Sequence, residues 1–189
     1  MPKGAKEGVI KGMYKFKSSE LKDSKLKANL FGSGAMMVQV LEAAQILESK
    51  YKVACDLWSI TSYKELYKDA IATERWNMLH PTEKAKVPYV TEALKGAEGV
   101  FVSSSDYVKA LPESIAKWMP RPFIALGTDG YGRSESREAL RNHFEVDAKH
   151  IVLAALSGLM REGKLKPADV QKAIKDLGID AEKKNPFTA

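Results

Sequence analysis

This sequence predicts a three-layer α/β fold, with helices on both faces of a mainly parallel sheet. Three observations carry that prediction. From Lys27 onward, short apolar runs alternate with amphipathic helical stretches, and the turns between them are rich in Gly, Ser and Thr. The alternation matters because parallel neighbours need a crossover connection, most often a helix. A chain of 189 residues, 44% hydrophobic and 29% charged, is also long enough to bury one continuous core.

Taken in order, Val9 to Phe16 reads as an extended segment at the edge of the sheet, and Ser18 to Lys25 as a polar loop. Leu26 to Phe31 is the first core strand and Gly32-Ser33-Gly34 its turn. Met37, Val40, Leu41, Ala44 and Leu47 then mark one face of a helix. Val53 to Ile60 is the second core strand. It leads into Ser62-Tyr-Lys-Glu65, a capping box in which the Ser side chain takes one orphan amide and the Glu side chain returns to another. Tyr63, Leu66, Tyr67 and Ala70 keep helical spacing, and Pro81 ends that helix.

Gly99 to Ser103 and Pro122 to Leu126 are the remaining strands. Between them Val108, Leu111 and Ile115 share a helical face, with Pro112 limiting where the helix begins. Ser134 to Phe144 is predicted helical. Asp147 caps a further helix whose flanking Val146 and Ile151 have hydrophobic-staple spacing. The last helix starts at Pro167, carries Val170, Ala173, Ile174 and Leu177 as its stripe, and stops at Gly178 with Ile179 returning to Ile174. The division expected is an N-terminal linker and edge strand over 1–25 and an α/β domain over 26–189.

A formal charge of +6 raises the question of a nucleic-acid partner. Residues 1 to 27 hold eight lysines against Glu7, Glu20 and Asp23, whereas the other 162 residues carry 22 basic and 21 acidic side chains. The excess therefore sits on the N-terminal extension and not on the fold. A basic stripe with interleaved aromatics is missing too, so no nucleic-acid partner is expected. No apolar run reaches the roughly 20 residues of a membrane helix, and the N-terminus lacks the apolar stretch of a signal peptide; no membrane partner and a cytoplasmic location are expected. Cys55, the one cysteine, lies in a strand-like apolar run and reads as a reduced, buried thiol.

Two glycine-rich turns come close to phosphate-binding motifs. Gly32-Ser33-Gly34 follows a strand and opens a helix, but Met37 stands where the third glycine of a dinucleotide fingerprint belongs. Gly127-Thr-Asp-Gly-Tyr-Gly-Arg133-Ser134 fits a P-loop except that Arg133 replaces the lysine, and a planar guanidinium does not substitute freely for a compact ammonium. Arg133, Arg137 and Arg141 fall four residues apart and line one side of the predicted helix, with Glu135, Glu138 and Glu145 nearby. The plain reading is a solvated face; the sharper one is a subunit contact. His80, His143 and His150 pair with no second histidine or cysteine at metal-ligand spacing, and no nucleophile elbow or catalytic carboxylate pair is evident.

The unusual runs also carry a resemblance. They are Lys11-Gly-Met-Tyr-Lys-Phe16, Leu30-Phe-Gly-Ser-Gly34, Glu74-Arg-Trp-Asn-Met-Leu-His-Pro81 and Ser105-Asp-Tyr107, continuing with Leu126-Gly-Thr-Asp-Gly-Tyr-Gly-Arg-Ser134, Asn142-His-Phe-Glu-Val-Asp147 and Asn185-Pro186. In order and spacing the chain is similar, over essentially its whole length, to the C-terminal domain of the homodimeric bacterial type of pyruvate dehydrogenase decarboxylating component. The resemblance implies a transketolase C-terminal-domain-like fold: a mixed five-stranded sheet, four strands parallel and one antiparallel, with Lys11 to Phe16 as the candidate antiparallel strand. It also implies membership of a cytoplasmic multienzyme complex. There the complete chain decarboxylates pyruvate on thiamin diphosphate with Mg²⁺ and passes the acetyl group to the lipoyl arm of dihydrolipoyl acetyltransferase.

The catalytic, cofactor and metal residues of that family lie in the two preceding domains, and none maps here. This chain is thus expected to supply no catalytic, cofactor-binding or metal residue, to be inactive alone, and to act as a structural and dimerisation domain. Gly127, Asp129, Gly130, Tyr131, Gly132, Arg133, Arg137 and Arg141 are the expected subunit-interface residues. The competing readings are the same domain of another transketolase-superfamily enzyme, or a free-standing nucleotide-binding α/β protein using one of the two glycine-rich turns.

Overall fold

The structure is a computed structural model that describes residues 2–21 and 23–188. The chain runs α1 (Lys6–Lys11), β1 (Met13–Lys17), β2 (Lys27–Ser33), α2 (Met37–Tyr51), β3 (Ala54–Ile60), α3 (Tyr63–Leu79), α4 (Tyr89–Ala93), β4 (Val100–Ser104), α5 (Ala110–Glu113), β5 (Phe123–Leu126), α6 (Arg137–His143), α7 (Ala148–Arg161) and α8 (Pro167–Asp176). The five strands form one sheet in the order β1-β3-β2-β4-β5. Strands β3, β2, β4 and β5 are mutually parallel, and β1 pairs antiparallel with β3 through Met13 opposite Ile60 and Tyr14 opposite Ser59. This is the three-layer, mixed five-stranded α/β fold expected.

Two cores lie on opposite faces of the sheet, as the period-2 alternation of side chains along each strand requires. On one face Leu30, Leu57 and Val102 meet Val40, Ala43 and Leu47 of α2, Ile151, Val152 and Ala155 of α7, and Val170 and Ala173 of α8. On the other Phe31, Trp58 and Phe101 meet Tyr63 and Leu66 of α3, Val90 of α4, and Ile115. Phe31 is the centre of this second core: it stacks on Trp58 and Phe101 at centroid distances of 6.1 and 6.0 Å and meets Phe123 edge-on at 5.9 Å. The Trp58 indole donates to the buried Asn29 Oδ1 at 3.1 Å, and the Asn29 amide donates to the Glu98 carbonyl at 2.8 Å, so both of these side chains are paired.

Several elements depart from the sequence reading, each for a local reason. Val9 to Lys11 belong to α1 and not to an extended segment; the helix stops when the Gly12 N–H bonds back to Gly8, and the strand begins at Met13. Gly32 and Ser33 complete β2, so the turn starts at Gly34. Ser62 caps α3 by accepting from the Glu65 amide at 3.2 Å, but the Glu65 carboxylate pairs with Lys68 at 3.0 Å and the return half of the capping box is not made. Val108, Leu111 and Ile115 do not share one helix: α5 spans four residues, a separate 3₁₀ turn holds Ala116–Trp118, and Val108 is exposed. Ser134 to Ser136 lie outside α6, which starts at Arg137 because Ser136 supplies the cap, accepting from the Ala139 amide at 3.3 Å.

The predicted α7 and α8 signals are met. Asp147 caps α7, Val146 and Ile151 are both buried, and the Ile179 amide donates to the Ile174 carbonyl at 3.0 Å beyond α8. Among the described residues no helix is long and apolar enough to cross a membrane.

Candidate functional site at the carboxyl edge of the sheet

All four parallel strands end at the same edge, where β2 and β4 are neighbours whose following connections leave toward opposite sides of the sheet. In open α/β sheets such a switch point leaves a crevice outside the strand ends. Here the crevice measures about 490 Å³. Its floor is apolar, formed by Met36 at the end of the turn after β2 and by Leu140, Phe144 and Val146 around α6. Its rim is polar: Asp106 beyond β4, Thr128 beyond β5, and Arg133, Arg137 and Arg141. The Ser104 hydroxyl, buried at the end of β4, donates to the Val146 carbonyl at 2.8 Å and fixes the segment entering α7 against the strand end.

Sequence spacing placed all three arginines on one helix. The structure puts Arg133 in the loop before α6 and only Arg137 and Arg141 on the helix, yet all three reach the same crevice. Among the described residues neither Arg137 nor Arg141 has a carboxylate within ion-pair distance; Glu145 pairs with Lys183 at 3.3 Å instead.

The β5–α6 loop is held from two sides. The Thr128 amide donates to the Tyr107 carbonyl at 2.9 Å, the Thr128 hydroxyl donates to the Asp106 carbonyl at 2.9 Å, and Asp129 accepts from the Lys109 amide at 2.9 Å. A side chain at Gly127 would meet the Tyr107 carbonyl oxygen at 2.6 Å. Gly130 has φ +99° and would meet the Pro186 carbonyl oxygen at 2.4 Å, so the C-terminal segment packs directly on it. Gly127, Asp129 and Gly130 are therefore committed to contacts within the chain. Tyr131, by contrast, is 85% exposed, and Phe187 and Tyr107 beside the same loop are also exposed. The Thr128 amide, already bonded to backbone, is not free to cradle a phosphate.

The histidines are dispersed. His80 stacks on Trp76 at 4.4 Å and its Nδ1 lies 2.8 Å from the Trp76 carbonyl oxygen. His150 pairs with Asp147, and His143 packs edge-on against Phe144. Among the described residues no three His, Cys, Asp or Glu side chains are grouped to hold a metal ion. Cys55 is buried, and burial, with the charges of Glu48 and Asp56, pushes its thiol far above the ordinary range. The crevice itself was not legible in the sequence, because its floor comes from Met36, Leu140 and Val146, which no single periodic pattern links.

Residues 12–147, spanning β1 to the cap of α7, match the family described as the transketolase-like TK C-terminal domain. The chain belongs to that family. Its sequence is 47% identical over 188 residues to the pyruvate dehydrogenase E1 component of Pseudomonas aeruginosa and 46% identical over 190 residues to that of Escherichia coli, covering 99% and 100% of the chain. It spans about a fifth of the length of these relatives, 21% in each case. Solved structures share the fold: transketolase from Leishmania mexicana covers 82% of the chain with a TM-score of 0.52 at 19% identity, the chain matching 19% of that protein. A split-gene transketolase, described as an inactive β4 tetramer, covers 78% with a TM-score of 0.52 at 17% identity, 42% of that chain being matched.

Proposed function

We propose that this transketolase-like domain is the C-terminal structural and assembly domain of a pyruvate dehydrogenase E1 component, and that it carries none of the catalytic groups itself. The observation that carries the reading is identity of 46 to 47% sustained over the whole chain with E1 components of which it matches only a fifth. In the complete enzyme, thiamin diphosphate and Mg²⁺ supply the decarboxylating chemistry, and the acetyl group passes to the lipoyl arm of dihydrolipoyl acetyltransferase. On this reading the cofactor's ligands lie outside this chain, in keeping with the finding that among the described residues no three His, Cys, Asp or Glu side chains are grouped to hold a metal ion. No step of the reaction is routed through this chain.

What the chain contributes is geometry. A cofactor held between subunits needs those subunits docked in one arrangement, and obligate interfaces commonly bury more than about 2,000 Å². The surface around Tyr131, Gly132 and Arg133, with Arg137 and Arg141, joins exposed aromatics to guanidinium groups, the composition enriched at interface centres. Gly127, Asp129 and Gly130 set the shape of that loop from within. Residues 1–25 serve this reading as a linker and edge strand attached to the domain over 26–189, and the location is cytoplasmic.

Titration of the 189-residue chain with thiamin diphosphate and Mg²⁺ tests the reading. No saturable heat is expected; tight binding would place the cofactor site here and overturn it. The intact mass of the polypeptide in its native host is the second test, since a mass close to 20.9 kDa would contradict a domain of a much longer enzyme.

A further inference from the structure

The assembly reading uses the outer surface of the exposed loop and the arginines beside it; inward of them lies the crevice between the strand ends, with an apolar floor of Met36, Leu140, Phe144 and Val146. We propose that it is a binding site for a small oxyanion-bearing ligand, a phosphate or carboxylate carried on a hydroxyl-bearing body. Its lining comes from one chain, but Arg137 and Arg141 are also arginines of the surface assigned to assembly, so the two readings share side chains and the site is tested on the unassembled chain.

Four observations support it. The crevice lies at the switch point between β2 and β4, where parallel sheets present strand ends and helix starts to a ligand. Its volume of about 490 Å³ matches a small-molecule pocket. Arg137 and Arg141 line it, and among the described residues neither has a carboxylate partner, so two guanidinium forks suited to bidentate oxyanion binding face a space floored by Leu140, Phe144 and Val146. The turn from Gly34 to Met36 and the start of α2 carry no side-chain cap, and Ala35 and Met36 open onto the same space, so the positive end of a 15-residue helix adds to the field there. Ala35 and Met36, which follow the first glycine-rich stretch, and Gly132 of the second thus line one crevice, and the anion is held by arginine side chains and not by either turn alone.

The remaining polar groups define the rest of the ligand. Asp106 is the one carboxylate in the lining and repels a second anion on its side, but it accepts a hydroxyl proton well. Thr128 has its hydroxyl proton committed to the Asp106 carbonyl and is left as an acceptor. A ligand with its charge toward α6 and its hydroxyls toward the ends of β4 and β5 satisfies both sides.

Titration calorimetry with ADP, pyrophosphate and citrate, each added separately to the 189-residue chain, tests this. Saturable binding of at least one probe is expected, weakened about tenfold in Arg141→Gln and about a hundredfold in the Arg137→Gln/Arg141→Gln double variant, and unchanged in Lys84→Gln on a distant loop. ADP or pyrophosphate binding with citrate silent identifies a phosphate ligand, and the converse a carboxylate. Amide shifts on binding should centre on Met36 and Thr128, and thermal melting monitors the folding of each variant. Absence of saturable heat at about 1 mM probe, or equal affinity in the folded double variant and wild type, overturns the site. Sedimentation of the unliganded chain reads assembly separately from ligand binding, so failure of one proposal is distinguishable from failure of the other.

Discussion

Asp147 and His150 form a short polar joint at the start of α7: Asp147 Oδ1 lies 2.6 Å from His150 Nδ1 and also accepts from the His150 backbone amide at 3.1 Å. One carboxylate oxygen thereby caps α7 and fixes the side chain of a buried histidine in its first turn, while Asn142 donates to the other oxygen at 3.2 Å. Helix α7 packs against α2, β4 and α8, so this cap sits at the start of the helix that organises one core. Replacing Asp147 with Ala should lower stability by about 2 kcal/mol, the upper range for a lost cap, and Asp147→Asn by less, because asparagine caps nearly as well. Urea unfolding midpoints of the three proteins check this.

The same carboxylate sets a pH dependence. Burial pushes the Asp147 carboxyl up, but the hydrogen bonds from the His150 side chain and amide outweigh it and hold the group below the usual carboxylate range. An acid with a depressed value in the folded state stabilises the fold above its unfolded value, and that contribution disappears as pH falls through the folded one. Stability should therefore decline below about pH 4 in the wild type, and this part of the decline should be absent in Asp147→Asn. Thermal melting between about pH 5 and pH 2 measures it; identical acid profiles would remove Asp147 as a cause.

The parts of the fold that the sequence made legible are those whose cause is local. Val146, Asp147 and Ile151 sit within one turn of each other, and Pro167, Gly178 and Ile179 punctuate α8 by their own backbone chemistry, so both helices are placed correctly from spacing alone. Where a distant contact decides, spacing misleads. Val108 keeps helical phase with Leu111 and Ile115, yet the backbone after Tyr107 is fixed by Asp129 and Thr128 from the loop beyond β5, which leaves Val108 outside. Arg133 keeps phase with Arg137, but Ser136 caps the helix after it. The crevice shared by the three arginines depends on β2, β4 and β5 ending together, which is a property of the sheet order and of no segment in it.

Gly99 is predicted to tolerate no side chain. Its φ is +88°, and a Cβ would lie 1.9 Å from the Lys27 carbonyl oxygen, so the backbone entering β4 would have to separate from the start of β2. Those two strands form the parallel pair on which the crevice is built. Gly99→Ala should cost at least about 3 kcal/mol, combining a strained backbone with an overlap that no rotamer relieves. A loss under about 1 kcal/mol by chemical denaturation would mean that this strand entry relaxes freely.

Phe31→Ala should be more damaging than a typical core truncation. It removes one ring that contacts three others, Trp58, Phe101 and Phe123, on a strand at the centre of the sheet. Loss of the buried volume alone is worth about 3 to 5 kcal/mol. Phe31→Leu should recover much of it, since the cavity shrinks while only the ring-ring geometry is lost. Equilibrium unfolding of both variants decides the order.

Arg137→Glu tests the surface assigned to assembly. The substitution reverses a charge on an exposed helix face whose arginine has no carboxylate partner among the described residues, so the fold itself should change by no more than about 0.5 kcal/mol. If the face meets carboxylates of a second subunit, the new glutamate sets like charges against each other at a desolvated contact, which costs several kcal/mol in association. In the full-length enzyme the variant should therefore shift sedimentation toward the single subunit at concentrations where the wild type remains dimeric. Tyr131→Ser, which removes the most exposed aromatic of the loop without altering charge, should act in the same direction and more weakly. Unchanged sedimentation of both variants would move the interface to another face of the domain, leaving the exposed Tyr107, Tyr131 and Phe187 surface without a role in dimer formation.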